Sequence, residues 1–445
     1  MPVTFFAEHA WVGGAVASGV VIEVSGGRVC GVRTGLAAPP PGAEVLRGLT
    51  LPGLANAHSH AFHRALRGIA QRGSGTFWTW RETMYEVAGR LDPDAYLELA
   101  RAVYAEMALA GITCVGEFHY LHHAPGGTPY GDPNAMGEAL IEAAAQAGIR
   151  ITLLDTCYLS SGFGAPPERH QLRFSDGDAD AWAARASELK ERAHARIGAA
   201  VHSVRAVPAE QIATVARWAA ERDAPLHVHL SEQPAENEAC LAAHGRTPAG
   251  LLADSGALGP RTSAVHATHL TGGDIATLGG SGTTVCMCPT TERDLADGIG
   301  PAADLAAAGS PISLGSDSHA VIDLFEEARA VELDERLRTL RRGTWSAAAL
   351  LRAATLDGHA SLGWPEAGRI EAGAPADFVT VALDSVRTAG PPPELGAETA
   401  VFAASAADVR NVVVGGRPVV RDGAHLLVPD VPGALSRAIA RVTRP

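Results

Sequence analysis

The chain has 445 residues, of which 47% are hydrophobic and 19% are charged. This length accommodates one large α/β barrel with a small accessory domain, or two or three ordinary domains, with a sizeable buried core. The formal net charge of −13 argues against a nucleic-acid partner, because nucleic-acid binders normally carry a basic stripe.

Cysteine usage and hydropathy indicate the compartment. The six cysteines are spread along the chain with no C-x-x-C pair, which is typical of a reduced intracellular protein rather than a disulfide scaffold. The first residues lack the basic segment and the long apolar core of a signal peptide, and no run of about 18 uncharged apolar residues predicts a membrane span. We therefore expect a cytoplasmic protein with no membrane partner.

Both ends of the chain have a β-rich pattern interrupted by Gly and Pro. Short apolar runs occur near the start and again late in the chain, at 20–24, 29–32, 368–370, 377–381 and 412–416. Two similar ends around a different middle predict one small β domain, a β-sandwich assembled from residues 1–50 and 365–445.

The middle of the chain alternates between buried strands and amphipathic helices. Eight runs rich in Val, Ile and Leu show little alternation, as strands buried on both faces should; they are 51–57, 112–118, 149–157, 199–204, 225–230, 262–268, 283–288 and 311–316. Helical patterns lie between them, at 137–148, 178–196, 209–222 and 322–341. Residues 51–364 are therefore predicted to form a (β/α)8 barrel. An open doubly wound sheet is the alternative, but no G-x-G-x-x-G follows the first run.

Polar residues follow the runs at the strand ends where such a barrel places its active site. The ones that attract attention are His58 and His60 after the first run, Glu117 and His119 after the second, His202 and Arg205 after the fourth, His229 and Glu232 after the fifth, His266 after the sixth and Asp317 after the eighth. One such residue would mean little, but their coincidence at one edge predicts a site.

Four of these residues form a candidate metal set. His58 and His60 project to the same face of a strand because they are two residues apart. An H-x-H pair alone is a weak signal in a chain with 18 histidines, and His227-Val228-His229 is a second one. Together with His229 and Asp317, however, the first pair supplies three imidazoles and a carboxylate, which suits Zn²⁺. His227 should point the other way, into the barrel wall.

Three residues are candidates for proton transfer. A catalytic metal needs an open position for water, whose pKa it lowers to about 7. Glu232 lies three residues past His229, where it can shuttle protons without binding metal. His266 can hold or deprotonate the attacking water, and Asp317 can both bind metal and accept the water's proton.

The only lysine indicates how many metals to expect. Some barrel hydrolases bridge two metals with a carboxylated lysine at a strand end. Lys190 lies in the charged segment 178–196, which is predicted to be helical, and is unsuited to that role. We therefore predict one zinc per chain.

These residues carry a resemblance to a known family. The segment 51–60 resembles the first-strand signature of the amidohydrolase superfamily, and Gly315-Ser316-Asp317 resembles its eighth-strand aspartate. Similarity to the deaminase branch extends over nearly the whole chain, including 368–373 and 376–378. Within that branch, five stretches resemble the formimidoylglutamate deiminases, namely 77–81, 117–120, 202–205, 229–233 and 288–292.

The resemblance implies a reaction and a role for each candidate. It implies zinc-dependent hydrolysis of N-formimidoyl-L-glutamate to N-formyl-L-glutamate and ammonia, in histidine degradation, by a homodimer. The metal would be bound by His58, His60, His229 and Asp317, with Glu232, His266 and Asp317 acting in catalysis and Arg81, Tyr120, His202 and Arg205 lining the substrate pocket. Position 63 is His where some relatives are expected to have Gln, and His63 can still hydrogen-bond the substrate.

The charges of this substrate agree with the residues. Formimidoylglutamate carries two carboxylates, and Arg205 and Arg81 suit bidentate carboxylate binding in an otherwise acidic protein. One alternative is a deaminase of the same branch that acts on guanine, an adenosine derivative or a triazine, with a pocket built for aromatic stacking. A non-catalytic metal-binding scaffold is a second alternative, which the complete metal set with Glu232 and His266 argues against.

Overall fold

The structure is a computed structural model that describes residues 3–72 and 77–443; in the stretch 77–81, the side chains of residues 77–79 lie outside the described residues. The strands are β1 (Val3–Val12), β2 (Ala15–Ser25), β3 (Arg28–Arg33), β4 (Glu44–Pro52), β5 (Leu54–Ser59), β6 (Ile112–His119), β7 (Arg150–Cys157), β8 (Ala195–Val201), β9 (Leu226–Leu230), β10 (Thr262–His266), β11 (Thr284–Met287), β12 (Ile312–Leu314), β13 (Phe378–Val381), β14 (Val409–Val414), β15 (Arg417–Arg421) and β16 (Ala424–His425).

The α-helices among the described residues are α1 (Phe77–Ala88), α2 (Pro93–Leu109), α3 (Ala135–Ala147), α4 (Ala179–Ala186), α5 (Ala209–Glu221), α6 (Pro234–His244), α7 (Pro248–Asp254), α8 (Gly272–Ser281), α9 (Pro289–Asp294), α10 (Ala302–Ala308), α11 (Leu324–Thr339), α12 (Ala347–Arg352), α13 (Gly358–Ser361), α14 (Gly396–Phe402) and α15 (Val431–Thr443). No described helix is both long enough and apolar enough to cross a membrane.

Strands β5 to β12 form the predicted barrel. They are parallel and pair in chain order, and each lies within a few residues of a predicted run. The barrel closes between its first and last strands, where the Asp317 amide donates to the His58 carbonyl at 3.0 Å. All eight residues of β6 are buried, as expected of a strand covered on both faces. The (β/α)8 prediction is confirmed.

The small β domain is also confirmed, with strands from both ends of the chain. Its eight strands form one mixed sheet in the order β16-β15-β14-β13-β4-β1-β2-β3, in which only β1 and β4 are parallel. Early and late segments meet where β13 pairs with β4, and the rings of Phe5 and Phe378 pack edge to face at 5.1 Å. The division into residues 1–50 with 365–445 and 51–364 stays a prediction.

Two predicted elements differ in the structure. Residues 368–370 are not a strand: Gly368 has a φ of +75°, and a β carbon there would lie 2.8 Å from the backbone of Leu356. The helix predicted over 178–196 ends at Ala186, because Ala195 already pairs with β7 and requires extended backbone. Lys190 is therefore in an exposed loop before β8, at the barrel end opposite the predicted site.

Candidate functional site

The four predicted metal-binding residues lie together at the C-terminal end of the barrel. Their ligand atoms are all within 4.8 Å of one another, and all four side chains are buried. His58 Nε2 lies 3.1 Å from His229 Nε2 and 3.3 Å from Asp317 Oδ1, and His60 Nε2 lies 3.4 Å from the same oxygen. Tetrahedral zinc with bonds of about 2.0–2.1 Å separates its ligand atoms by about 3.3–3.4 Å. The spacing fits that geometry.

Hydrogen bonds fix the orientation of two of the imidazoles. His60 Nδ1 donates to the Phe118 carbonyl at 2.9 Å, and His229 Nδ1 donates to the His202 carbonyl at 2.9 Å. Because Nδ1 carries the proton, Nε2 of each ring presents its lone pair to the cluster. Burial lowers the pKa of His60 to about 3 and holds the pKa of His229 well below its ordinary value. Both rings are therefore neutral, as ligands must be.

Asp317 supplies the negative charge of the cluster. Burial alone would raise its pKa, but the hydrogen bond from His58 and the surrounding imidazoles outweigh burial and keep the pKa far below its ordinary value. Its φ is +41°, an uncommon conformation for a residue other than glycine that often marks functional positions. Gly315 makes room nearby, since a β carbon there would lie 2.7 Å from His58 Cβ.

Polar side chains support the first strand beneath the cluster. The Asn56 side chain accepts a hydrogen bond from the Ser316 amide at 2.9 Å and donates one to the Ser316 hydroxyl at 2.7 Å. These two bonds join the first and last barrel strands. Glu117 accepts the Ser59 hydroxyl and the Ala61 amide, both at 2.7 Å. Burial raises the pKa of Glu117 to about 7. These contacts fix the backbone on both sides of His58.

The three predicted catalytic residues face one another beside the metal cluster. His266 Nε2 lies 3.9 Å from Glu232 Oε1 and 3.8 Å from Asp317 Oδ2. On its other side, His266 Nδ1 lies 3.4 Å from Glu292 Oε1, which also accepts the Cys288 amide at 2.8 Å. Burial raises the pKa of Glu232. Burial alone would lower the pKa of His266, but Glu232, Glu292 and Asp317 raise it well above its ordinary value. A proton can thus be held between them.

All five residues predicted to contact substrate line one cavity above the cluster. The full lining is His60, His63, Trp80, Arg81, Met84, Tyr120, Tyr158, His202, Arg205, His229, Glu232, His266, Leu295 and Asp317. His63 Nε2 and the Tyr120 hydroxyl are 3.1 Å apart, and the His202 ring lies 4.6 Å from that of Tyr158, centroid to centroid. The cavity therefore combines predicted metal ligands, predicted proton-transfer residues and two arginines.

Each cavity arginine is anchored through its Nε atom. Arg205 Nε donates to Glu236 Oε2 at 2.8 Å, and the other oxygen of Glu236 accepts the Ser231 amide at 3.0 Å. Arg81 belongs to α1, and its Nε donates to the Tyr85 hydroxyl at 2.5 Å. Because Arg205 bonds Glu236 through Nε, its two outer guanidinium nitrogens can contact a carboxylate as a planar fork. The cavity is thus suited to an anionic compound.

Several functional side chains were not singled out from the sequence. Glu236 and Glu292 hold Arg205 and His266, and Tyr158 lines the cavity immediately after β7. The position of Tyr158 directly past a strand end is a usable signal, because the same position after six other runs holds the residues that predict the site. Glu236 and Glu292 lie in the first turns of α6 and α9, where an acidic residue has an ordinary structural explanation.

Comparison with known proteins agrees with this geometry. The Amidohydrolase family model matches residues 49–419. The chain is 38% identical over 435 residues to a formimidoylglutamate deiminase of Pseudomonas aeruginosa, covering 94% of this chain and 95% of the relative. It is 34% identical to an 8-oxoguanine deaminase of the same species, covering 86% of this chain and 84% of that one.

A solved structure agrees as well. The crystal structure of an amidohydrolase from Brucella melitensis superposes with a TM-score of 0.91 at 34% identity and covers 99% of both chains. The family match spans more than half of the chain, and the resemblance inferred from the motifs is confirmed. This chain belongs to the amidohydrolase family.

Proposed function

We propose that this protein hydrolyses N-formimidoyl-L-glutamate to N-formyl-L-glutamate and ammonia with one Zn²⁺ per chain. The observation that carries the proposal is the presence of Arg81 and Arg205 in the same cavity as the histidine–aspartate cluster. Two guanidinium groups match the two carboxylates of this substrate. The 38% identity to a formimidoylglutamate deiminase over nearly the whole chain supports the same substrate.

His58, His60, His229 and Asp317 would hold the metal. Their spacing and neutral imidazoles suit Zn²⁺, and no lysine lies near them to bridge a second ion. When bound, Zn²⁺ would lower the pKa of water to about 7 and polarise the reacting C=N group.

The protein's own residues would move the protons. His266 and Asp317 take the proton from the water that attacks the formimidoyl carbon. Glu232 delivers a proton to the imino nitrogen as the carbon becomes tetrahedral. The proton held by His266 and Asp317 then passes to the resulting amino group. The C–N bond breaks and ammonia leaves while the hydroxyl on the carbon returns its proton to Glu232 and becomes the formyl oxygen. The distances among these three side chains support this order of proton transfers. His266 Nε2 lies 3.9 Å from Glu232 Oε1 and 3.8 Å from Asp317 Oδ2, and one bridging water molecule can relay a proton over such a distance.

The remaining lining residues would orient the substrate. Arg205, held by Glu236, binds one carboxylate and Arg81 binds the other, while His63, Tyr120 and His202 hydrogen-bond along the chain between them. Fixing both ends of the substrate places its formimidoyl carbon at the metal cluster, which is the orientation that hydrolysis requires.

The wider setting follows the sequence-based expectations. We propose that the reaction serves histidine degradation, in the cytoplasm and in a homodimer. We expect a small anionic substrate and neither a nucleic-acid nor a membrane partner. The net charge of −13 agrees with the absence of a nucleic-acid partner.

Ammonia release from the purified, zinc-loaded protein tests the function. Incubation with N-formimidoyl-L-glutamate should give ammonia and N-formyl-L-glutamate in equal amounts. Changing Glu232 to Gln should lower turnover about 100- to 10,000-fold while zinc stays bound, since a proton donor is lost and no ligand is. No turnover by the zinc-loaded wild-type protein would refute the substrate. Loss of both zinc and activity in the variant would refute the role of Glu232.

Deamination of a heterocycle is the second candidate. It is supported by the 34% identity to an 8-oxoguanine deaminase. Arg205→Met separates the two, because a neutral ring has no carboxylate for Arg205 to bind. A large loss confined to dicarboxylate substrates supports our proposal, whereas turnover of purines that is unchanged by the substitution supports the alternative.

A further inference from the structure

A buried glutamine joins two tyrosines at the edge of the cavity. Gln171 is fully buried, and its Nε2 donates to the hydroxyls of Tyr85 and Tyr158, both at 2.9 Å. Its Oε1 accepts the Glu168 amide at 2.8 Å. A backbone N–H can only donate, so the atom facing Glu168 must be the oxygen. The orientation of the amide is therefore fixed, and both tyrosine oxygens are acceptors.

The two tyrosine hydroxyls differ in the hydrogen bonds that they already make. The Tyr85 hydroxyl accepts from Gln171 and also from Arg81 Nε at 2.5 Å, which occupies both of its lone pairs. The Tyr158 hydroxyl, by contrast, accepts a hydrogen bond from Gln171 alone among the described residues. Within residues 3–72 and 77–443, no acceptor receives the hydroxyl hydrogen of Tyr158.

The place of Tyr158 in the fold shows where that hydrogen is used. Tyr158 directly follows β7 at the catalytic end of the barrel and lines the cavity with Arg81 and Arg205. Its ring packs against His202, with 4.6 Å between centroids. Because Gln171 already donates to its oxygen and its own hydrogen has no acceptor, the Tyr158 hydroxyl can donate to a ligand in the cavity. The complementary ligand group beside two arginines is a carboxylate.

We propose that Tyr158 donates a hydrogen bond to a substrate carboxylate, and that Gln171 is the positioning residue that makes Tyr158 a donor. The inference rests on the proposed function for the identity of the substrate. Burial raises the pKa of Tyr158, so the phenol keeps its proton at neutral pH. Gln171 also positions the Tyr85 hydroxyl, which in turn accepts a hydrogen bond from Arg81 Nε. One buried amide thereby organises two of the groups that recognise the anion.

Tyr158→Phe tests the donor. Removing one hydrogen bond to a charged group should raise KM for N-formimidoyl-L-glutamate about 10- to 100-fold with a smaller change in kcat. Zinc content should stay at the wild-type level. Tyr130→Phe is the matched control, because Tyr130 is half-buried outside the cavity lining, and its KM should not change. An unchanged KM in Tyr158→Phe would overturn the proposal.

Gln171→Glu tests the positioning role. The substitution keeps the shape but replaces two N–H donors by carboxylate oxygens, so Tyr158 should turn its hydrogen away from the cavity. KM should rise as much as in Tyr158→Phe, and the double variant should show no further rise. Additive effects would overturn the role of Gln171, because they would mean that the two residues act independently.

Glutarate binding separates this inference from the proposed function. Calorimetry with glutarate, a plain dicarboxylate, should show about 10-fold or greater weakening in Tyr158→Phe relative to wild type. If the wild-type protein binds glutarate in this way but does not turn over N-formimidoyl-L-glutamate, the function fails and the carboxylate donor stands. Equal glutarate affinity in the two proteins, or no binding by either, would overturn the donor even if turnover is observed.

Discussion

Two buried clusters of histidine and aspartate lie in this barrel, and they balance their charges differently. In the first, Asp317 faces the imidazoles of His58 and His60, at 3.3 and 3.4 Å. In the second, Asp155 lies near His119 and His122, and the ligand atoms of the three are within 4.8 Å of one another. Proximity alone therefore does not distinguish them.

The difference lies in what else contacts each carboxylate. Asp155 accepts hydrogen bonds from both outer nitrogens of Arg185, each at 2.9 Å, and from the Trp182 indole N–H at 2.8 Å. Arg185 also pairs with Asp176 at 2.8 Å. Asp317 has no guanidinium partner among the described residues. A carboxylate already neutralised by arginine needs no ion, whereas Asp317 lacks a guanidinium and faces the Nε2 atoms of His58 and His60, as a metal ligand would. A cluster of histidine and aspartate should therefore be judged as a metal site by whether its carboxylate already has a positively charged partner.

Asp317→Asn should produce the largest effect. It removes the proposed metal ligand and proton acceptor at once, so turnover should fall about 10,000-fold or more and zinc content should drop. Elemental analysis with an ammonia assay measures both. Asp155→Asn is the matched control in the second cluster, and it should leave zinc content at the wild-type level. Retention of zinc by Asp317→Asn, or its loss from Asp155→Asn, would contradict the comparison.

Arg185→Met should break the second cluster without touching the first. It leaves Asp155 and Asp176 buried without their cation, which typically costs about 3–5 kcal/mol of unfolding free energy. Urea unfolding measures the loss, and zinc content per folded chain should not change. A stability within about 0.5 kcal/mol of wild type would mean that the pairs contribute little.

The acid response of the second cluster is a smaller effect. Burial alone would raise the pKa of Asp176, but hydrogen bonds from His123 and Arg185 outweigh it and hold the pKa far below its ordinary value. Stability from a depressed pKa is complete above the unfolded value, about 3.9, and is lost as pH falls below it. Between pH 7 and pH 3, wild type should lose about 1 kcal/mol more than Asp176→Asn.

Urea midpoints at the two pH values test the acid response. Glu191→Gln is the control, since Glu191 is exposed in the loop before β8 and should lose as much stability as wild type. An equal loss in wild type and Asp176→Asn would show that Asp176 is not the group responsible.

The first cluster was predictable from the sequence, and the second region shows why other features were not. Buried strands are recognisable in the sequence as runs of Val, Ile and Leu. Because barrel topology brings the C-terminal ends of these strands together, His58, His229 and Asp317 could be grouped without coordinates. The segment 178–196 has a helical pattern throughout, but pairing of Ala195 with β7 overrides it. Local pattern carries no information about such long-range pairing.

The supporting residues were missed for a similar reason. Gln171 acts through Tyr85 and Tyr158, which are 86 and 13 residues away in the chain. Glu236 holds Arg205 from 31 residues away. Side-chain hydrogen bonds across such separations depend on loop paths, and no residue spacing in one sequence specifies those paths. Candidate metal ligands at strand ends can be predicted from the barrel topology, whereas the side chains that orient them can be identified only from coordinates.

Zinc titration of the metal-free protein tests the central claim most directly. The protein is stripped with a chelator, zinc is added in steps, and ammonia release from N-formimidoyl-L-glutamate is measured at each step. Our account predicts that activity rises linearly and reaches its plateau at one zinc per chain, with the second cluster taking up none. Absence of turnover at one equivalent, or a plateau only at two, would contradict the account.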